Sequence, residues 1–173
     1  RLATRIVPED GDLAAAFREA LDAGERLFVA DLRAPDLLAL APLAAEAGAL
    51  LFNARAEDDG LRREQCFKSV LHVAPSRAMK ADALSLYLVW KRWQRWFLVE
   101  GPHPEDRLLA DAYRRAAKRF GARIVEERTY EDTGGARRTD TGHVQIQGQM
   151  PVFTQGAASH DVLVVADAGD VFG

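Results

Sequence analysis

Four polar residues stand at the ends of short apolar runs. Asp31 follows residues 27–30, Asn53 follows 49–52, Glu100 follows 96–99, and Asp167 lies just beyond 162–165. In an open α/β sheet such positions fall at the carboxyl ends of the strands, the edge where ligands bind. An amide and three carboxylates there could line a ligand site. They could equally cap the next helix or hold a turn, because Asp and Asn are favoured turn residues. Arg55, two residues past Asn53, could clamp a carboxylate or phosphate through its planar guanidinium. The plainer alternative is a surface ion pair with Glu57 or Asp58. Ser76 and Arg77 open a long helical pattern, where exposed backbone amides favour anions and where serine also serves as an ordinary N-cap.

Other constellations point away from catalysis. Trp90, Trp93 and Trp96 are spaced by three, and could stack a ligand or, as aromatics more often do, fill a core or interface. The four histidines, His72, His103, His143 and His160, show no metal-ligand spacing. Gly134-Gly135-Ala136-Arg137-Arg138 is neither a phosphate-binding loop nor a dinucleotide fingerprint. No serine sits in a nucleophile elbow. Cys66 has Lys68 nearby but no obvious base, so a structural or externally paired thiol is the default. No cofactor is implied.

The elements that must position the edge residues repeat. The spacing of Leu13, Ala16, Phe17, Ala20 and Leu21 predicts a helix over 12–23, closed by Gly24 and followed by a strand at 27–30. A second helix over 35–47 is closed by Gly48 and precedes a strand at 49–52. A third runs over 104–120, closed by Gly121 before a strand at 124–125. Pro104 suits its first position, and Glu105 and Asp106 suit the positive end of its dipole. Between these units lie a strand at 70–73, a helix from 75 to about 92, and a strand at 96–99. Residues 130–140 read as a loop, 143–155 as an interrupted helix, and 162–165 as the last strand. Strands that are apolar throughout and alternate with helices imply α/β architecture with doubly wound parallel sheets covered on both faces.

The chain has 173 residues, enough for one ordinary domain or two small lobes, and 48% of them are hydrophobic, so a proper core is available. The net charge of -3 gives no basic footprint for nucleic acid. No apolar run approaches the roughly 20 residues that span a bilayer. The lone Cys66 cannot close a disulfide within the chain and by itself fixes no redox compartment. No basic-then-apolar leader follows Arg1, and the chain stops just past an apolar run. A leader could have been cleaved, or the sequence could be an excised piece.

Several stretches carry a resemblance. They are Leu51-Phe52-Asn53-Ala54 with Asp58-Asp59 and Leu61-Arg62; Leu71-His72-Val73-Ala74-Pro75-Ser76-Arg77-Ala78-Met79; Ala81-Asp82-Ala83-Leu84; Trp93-Gln94-Arg95-Trp96; and Pro151-Val152-Phe153-Thr154-Gln155-Gly156 leading to residues 161–167. They resemble the periplasmic substrate-binding proteins of ABC transporters associated with PQQ-dependent alcohol oxidation. That group is similar to the branched-chain amino acid receptors, the type I periplasmic binding proteins. The resemblance implies two doubly wound lobes with a ligand cleft, export to the periplasm, a permease partner, and a chain that is only part of the whole protein. It places lobe one at 1–73 and lobe two at 74–173, with the crossover near 73–76. The segment Asn53-Ala54-Arg55-Ala56 matches the loop whose backbone and hydroxyl hold the amino acid's charged groups, and so adds Ala54 to the candidates. The hydroxyl position falls on Ala56. Leu32 and Arg33 after Asp31 offer no serine, and Glu100-Gly101-Pro102-His103-Pro104 lacks the tyrosine of a tyrosine–glycine loop, while Asp167 keeps an acidic position. These departures point from amino acids toward another small organic ligand linked to alcohol catabolism.

Three functions compete. One is a solute receptor that closes by a hinge and docks to a permease. The second is an α/β enzyme using strand-end acids such as Asp31 and Asp167, with Mg²⁺. The third is a metabolite-sensing domain without transport. The ligand residues carried forward are Asp31, Asn53, Ala54, Arg55, Ser76, Glu100 and Asp167.

Overall fold

The computed structural model describes residues 3–8, 10–130 and 153–169. The chain divides into two compact units, Arg1–Ser76 and Arg77–Gly173.

The first unit runs α1 (Leu13–Asp22), β1 (Leu27–Ala30), α2 (Ala34–Glu46), β2 (Leu50–Asn53), a 3-10 turn at Asp59–Arg62, and β3 (Val70–His72). Asp12 starts α1 by accepting the Ala15 N–H at 2.8 Å, satisfying one donor that a helix start leaves open. Phe17 of α1 packs its ring 4.6 Å from that of Phe28. Leu37, Leu40, Ala41 and Ala44 of α2 bury against Ala30, Leu51 and Val70 of the sheet. The strands are parallel in the order β1-β2-β3. Asn53 is the last paired residue of β2, opposite Ala30 on one side and His72 on the other.

Period-two alternation then sorts this sheet's residues. Phe28, Ala30, Leu51, Asn53, Val70 and His72 are buried or half-buried, while Leu27, Val29, Leu71 and Val73 are exposed. On the face of those exposed residues, Leu50 and Phe52 of the central strand are half-buried. The described elements of the first unit supply helices for one face only, and the apolar strand pattern records a second face that they leave open.

The second unit contains α3 (Arg77–Trp90), β4 (Arg95–Glu100), α4 (Pro104–Phe120), β5 (Arg123–Thr129) and β6 (Val162–Ala166). Its sheet is parallel in the order β5-β4-β6. The central strand is buried on both faces, which accounts for its unbroken Trp96-Phe97-Leu98-Val99 run. Trp96 and Leu98 join Ala81, Leu88, Ala110, Tyr113 and Ala116 in one core. Phe97 and Val99 point the other way, onto Tyr130 and Phe153. β5 extends four residues beyond the expected 124–125, because the consecutive charged residues Glu126, Glu127 and Arg128 hide the strand signal that apolar runs give. Most of the loop at 130–140 and of the helix at 143–155 lies outside the described residues.

Helices α1, α2 and α3 close with the same pair of backbone bonds. In α1 the Glu25 N–H reaches Ala20 O and the Gly24 N–H reaches Leu21 O. In α3 the Trp93 N–H reaches Leu88 O and the Arg92 N–H reaches Val89 O. This closure needs a left-handed residue. Gly24 supplies it with φ 90°, whereas α3 uses Arg92 with φ 64°, a conformation a side chain resists.

Candidate functional site

The carboxyl edge of the first sheet brings together Asp31, Asn53, Ala54 and Arg55. Asn53 is fully buried. Its Oδ1 accepts the N–H groups of Ala56 at 2.8 Å and Arg55 at 3.2 Å, and its Nδ2 donates to Ala56 O at 2.7 Å. The side chain thus closes a tight Asx turn over residues 53–56. The Ala54 N–H donates to Ala30 O at 3.0 Å. The amides of residues 54–56, expected to hold a ligand, all donate within the protein.

What this edge presents outward is Arg55. Its Nη1 lies 3.9 Å from Asp31 Oδ1, and the two side chains are 60% and 81% exposed. An exposed pair at that distance contributes about 0–1 kcal/mol, so an incoming anion displaces it at little cost.

His72 completes the edge from β3. Its Nδ1 is 3.1 Å from Asn53 Nδ2 and its Nε2 is 3.2 Å from Leu61 O. Burial, and then the positive charge of Arg62, pull its pKa below the ordinary 6.5, against a smaller opposing effect of the Leu61 carbonyl. The guanidinium of Arg62 in turn donates to Ala74 O. The sequence reading gave His72 no role. The signal that could have found it is the parallel register, which sets the ends of neighbouring strands side by side.

The carboxyl edge of the second sheet holds Glu100 and Asp167. Glu100 is buried against Arg114 of α4, with Arg107 Nε 3.5 Å from its other oxygen. Arg114 also engages Asp111 at 2.6 Å and Glu127. Glu100 is therefore neutralised within its own unit. Asp167 Oδ1 accepts the Gly169 N–H at 3.1 Å, a local turn bond. Asp106 has a part the sequence did not show. Fully buried, it accepts the His103 N–H at 2.9 Å and the Ala168 N–H at 2.7 Å, tying the start of α4 to the chain after β6.

Ser76, the last residue of the first unit, is buried. Of the three tryptophans, Trp96 is core and donates its ring N–H to Trp93 O at 2.7 Å, while Trp90 and Trp93 are exposed. Cys66 is a free, exposed thiol. Among the described residues, no group of three or more His, Cys, Asp or Glu side chains could hold a metal ion, and no helix is long and apolar enough to cross a membrane.

Parallel strands alternating with helices, and polar residues gathered at the carboxyl edges of two sheets, define an open α/β class. A family model described as periplasmic binding protein matches residues 10–144, and the chain belongs to that family. Solved structures share the fold. An ABC transporter substrate-binding protein from Desulfitobacterium hafniense, in complex with Leu, is 18% identical with a TM-score of 0.64, over 90% of this chain and 43% of its own. A branched-chain amino acid ABC transporter ligand-binding protein from Burkholderia xenovorans is 17% identical with a TM-score of 0.66, over 88% and 46%. A solute-binding protein of an ABC transporter from R. palustris, in complex with benzoate, is 9% identical with a TM-score of 0.56, over 88% and 39%. The chain thus spans less than half the length of each of these structures. A search of curated proteins returns no significant match.

Proposed function

We propose that this chain is part of a periplasmic, non-enzymatic receptor that delivers a small organic carboxylate to an ABC transporter permease. The observation that carries the reading is Arg55. It stands exposed at the carboxyl edge of a parallel sheet, in a weak pair with Asp31 that an anion can replace. A guanidinium fork matches a carboxylate in both charge and shape. Two structural neighbours were solved with carboxylate-bearing molecules, Leu and benzoate, which supports the class. No hydroxyl stands at Ala56 to take an amino acid's charged groups, which favours a carboxylate without the amino group. The link to PQQ-dependent alcohol catabolism rests on the sequence resemblance and fits an acid derived from an alcohol. On this reading the two units are the lobes, with the chain passing between them near residues 73–76.

The test is a thermal-shift screen of the full-length protein against carboxylates, amino acids, alcohols, aldehydes and quinone cofactors. A ligand at a hundredfold excess over its Kd stabilises by about 2.7 kcal/mol. A shift with carboxylates supports the reading. A screen in which no small molecule moves the melt removes it, and magnesium-dependent turnover of a phosphate ester would favour the enzyme alternative.

A further inference from the structure

The hydrogen bonds around Asn53 select one tautomer of His72. Asn53 Oδ1 must be the acceptor end, because two backbone N–H groups point at it. Nδ2 must be the donor end, because it meets the Ala56 carbonyl. The same Nδ2 faces His72 Nδ1, so that ring nitrogen must offer a lone pair. The Leu61 carbonyl can only accept, so His72 Nε2 must carry the proton. One neutral tautomer satisfies every group. A second proton on Nδ1 would set N–H against N–H at 3.1 Å, and the Asn53 amide cannot turn to meet it without breaking the bonds that close the 53–56 turn.

We propose that His72 is a positioning residue that holds the Arg55 loop through Asn53 only while its imidazole is neutral, so that on acidification the loop loosens and anion affinity falls with it. The affinity half of this proposal rests on the ligand reading of Arg55; the loop half does not. The charged group acting on His72 from the 3-10 turn is Arg62, which disfavours the imidazolium. Glu57, Asp58 and Asp59 on the loop between Asn53 and Leu61 carry the opposite sign, and Arg55 lies on the turn itself. The net direction is nonetheless downward, with burial the largest cause. The native state thus binds the proton less readily than the unfolded chain. Stability is complete above the ordinary 6.5 and is lost as the pH falls from there toward the lowered native value, by at most about tenfold in the unfolding constant per pH unit.

The test is side-chain NMR of His72 in the full-length protein, with the signal assigned by its loss in His72→Gln, together with amide exchange at Ala56 across the acidic range. The expected result is an Nε2–H tautomer, a titration midpoint below 6.5, and an Ala56 protection factor that drops as His72 protonates. His72→Gln supplies a non-titrating acceptor and donor, and should hold that protection flat with pH. A proton on Nδ1, a midpoint at or above 6.5, or Ala56 protection indifferent to His72 protonation would overturn the proposal, and each is read in the wild-type chain. Benzoate titrated into the full-length protein reads the other half: its affinity should fall on acidification in the wild type and hold in His72→Gln. Equal affinity across pH overturns the coupling. Absence of benzoate binding at neutral pH counts against the carboxylate reading, while the NMR result still decides the loop half.

Discussion

Replacing Gly101 by alanine tests whether the carboxyl edge of β4 is built around Asp106. A Cβ at Gly101 would lie 2.3 Å from Asp106 Oδ2, 2.6 Å from its Cγ and 3.1 Å from its Cβ. Ordinary van der Waals contact begins near 3.4 Å, so the carboxylate would have to retreat by about 1 Å in an interior packed as densely as a crystal. It has nowhere to go without loss, being fully buried and held by the His103 and Ala168 N–H groups at 2.9 and 2.7 Å. Hydrogen bonds to a charged group contribute about 1.5–3 kcal/mol each. Alanine returns about 0.4–1 kcal/mol by restricting the unfolded chain. The net cost is about 2 kcal/mol if one bond breaks and about 4 kcal/mol if both do. For a chain of this size that lowers Tm by roughly 4–8 °C or roughly 8–16 °C, respectively. The assay is thermal unfolding followed by circular dichroism, repeated with Asp106→Ala, which removes the clashing Cγ and both oxygens. In the double variant the two costs should fall short of their sum by more than about 1 kcal/mol. A Gly101→Ala protein that melts with the wild type, or strict additivity in the cycle, would refute the reasoning.

Three further outcomes follow from the same structure. Arg92→Gly should raise stability by about 0.5–1 kcal/mol in urea unfolding, since glycine adopts the left-handed closure of α3 without a Cβ penalty; a destabilised variant would show that the arginine side chain contributes more than its strain. Arg55→Ala should weaken carboxylate binding by about 10–100-fold while leaving the ligand-free melt nearly unchanged, because the side chain is exposed and its pair with Asp31 is weak. Unaltered affinity, read by isothermal calorimetry, would move the anion contact elsewhere. Cys66 is exposed and free, so it should react with a maleimide in native buffer as fast as in denaturant; protection until unfolding would contradict its placement.

Most of the fold was readable because apolar periodicity reports faces directly. The run at residues 27–30 and the stripe through Leu109, Ala112 and Ala116 predicted β1 and α4 at their observed bounds. Two things escaped. β5 was cut short because charged residues fill 126–128, the half-buried Glu126 and Arg128 included. The end of α3 carried no glycine to read, so its left-handed closure at Arg92 could not be distinguished from a helix that simply frays.

The site was legible only as an edge. The residue types at strand ends were visible, but the occupancy of their donors and acceptors was not, because partners come from different distances along the chain. Asn53 is closed in part by Ala56, three residues on, a bond that a local turn rule anticipates. It is closed for the rest by His72, nineteen residues away, which becomes a neighbour only through the parallel register of β2 and β3. Glu100 is consumed by Arg114, which lies more than two turns along α4 and reaches back to the strand end. Two of the four strand-end residues are thus committed to holding the edge in shape. At the first sheet, outward charge passes to Asp31 and Arg55. A binding function there depends less on the residues that look most polar in the sequence than on the one cation whose position their buried network sets, and perturbing Asn53 or His72 should therefore change where Arg55 points before it changes whether the unit folds.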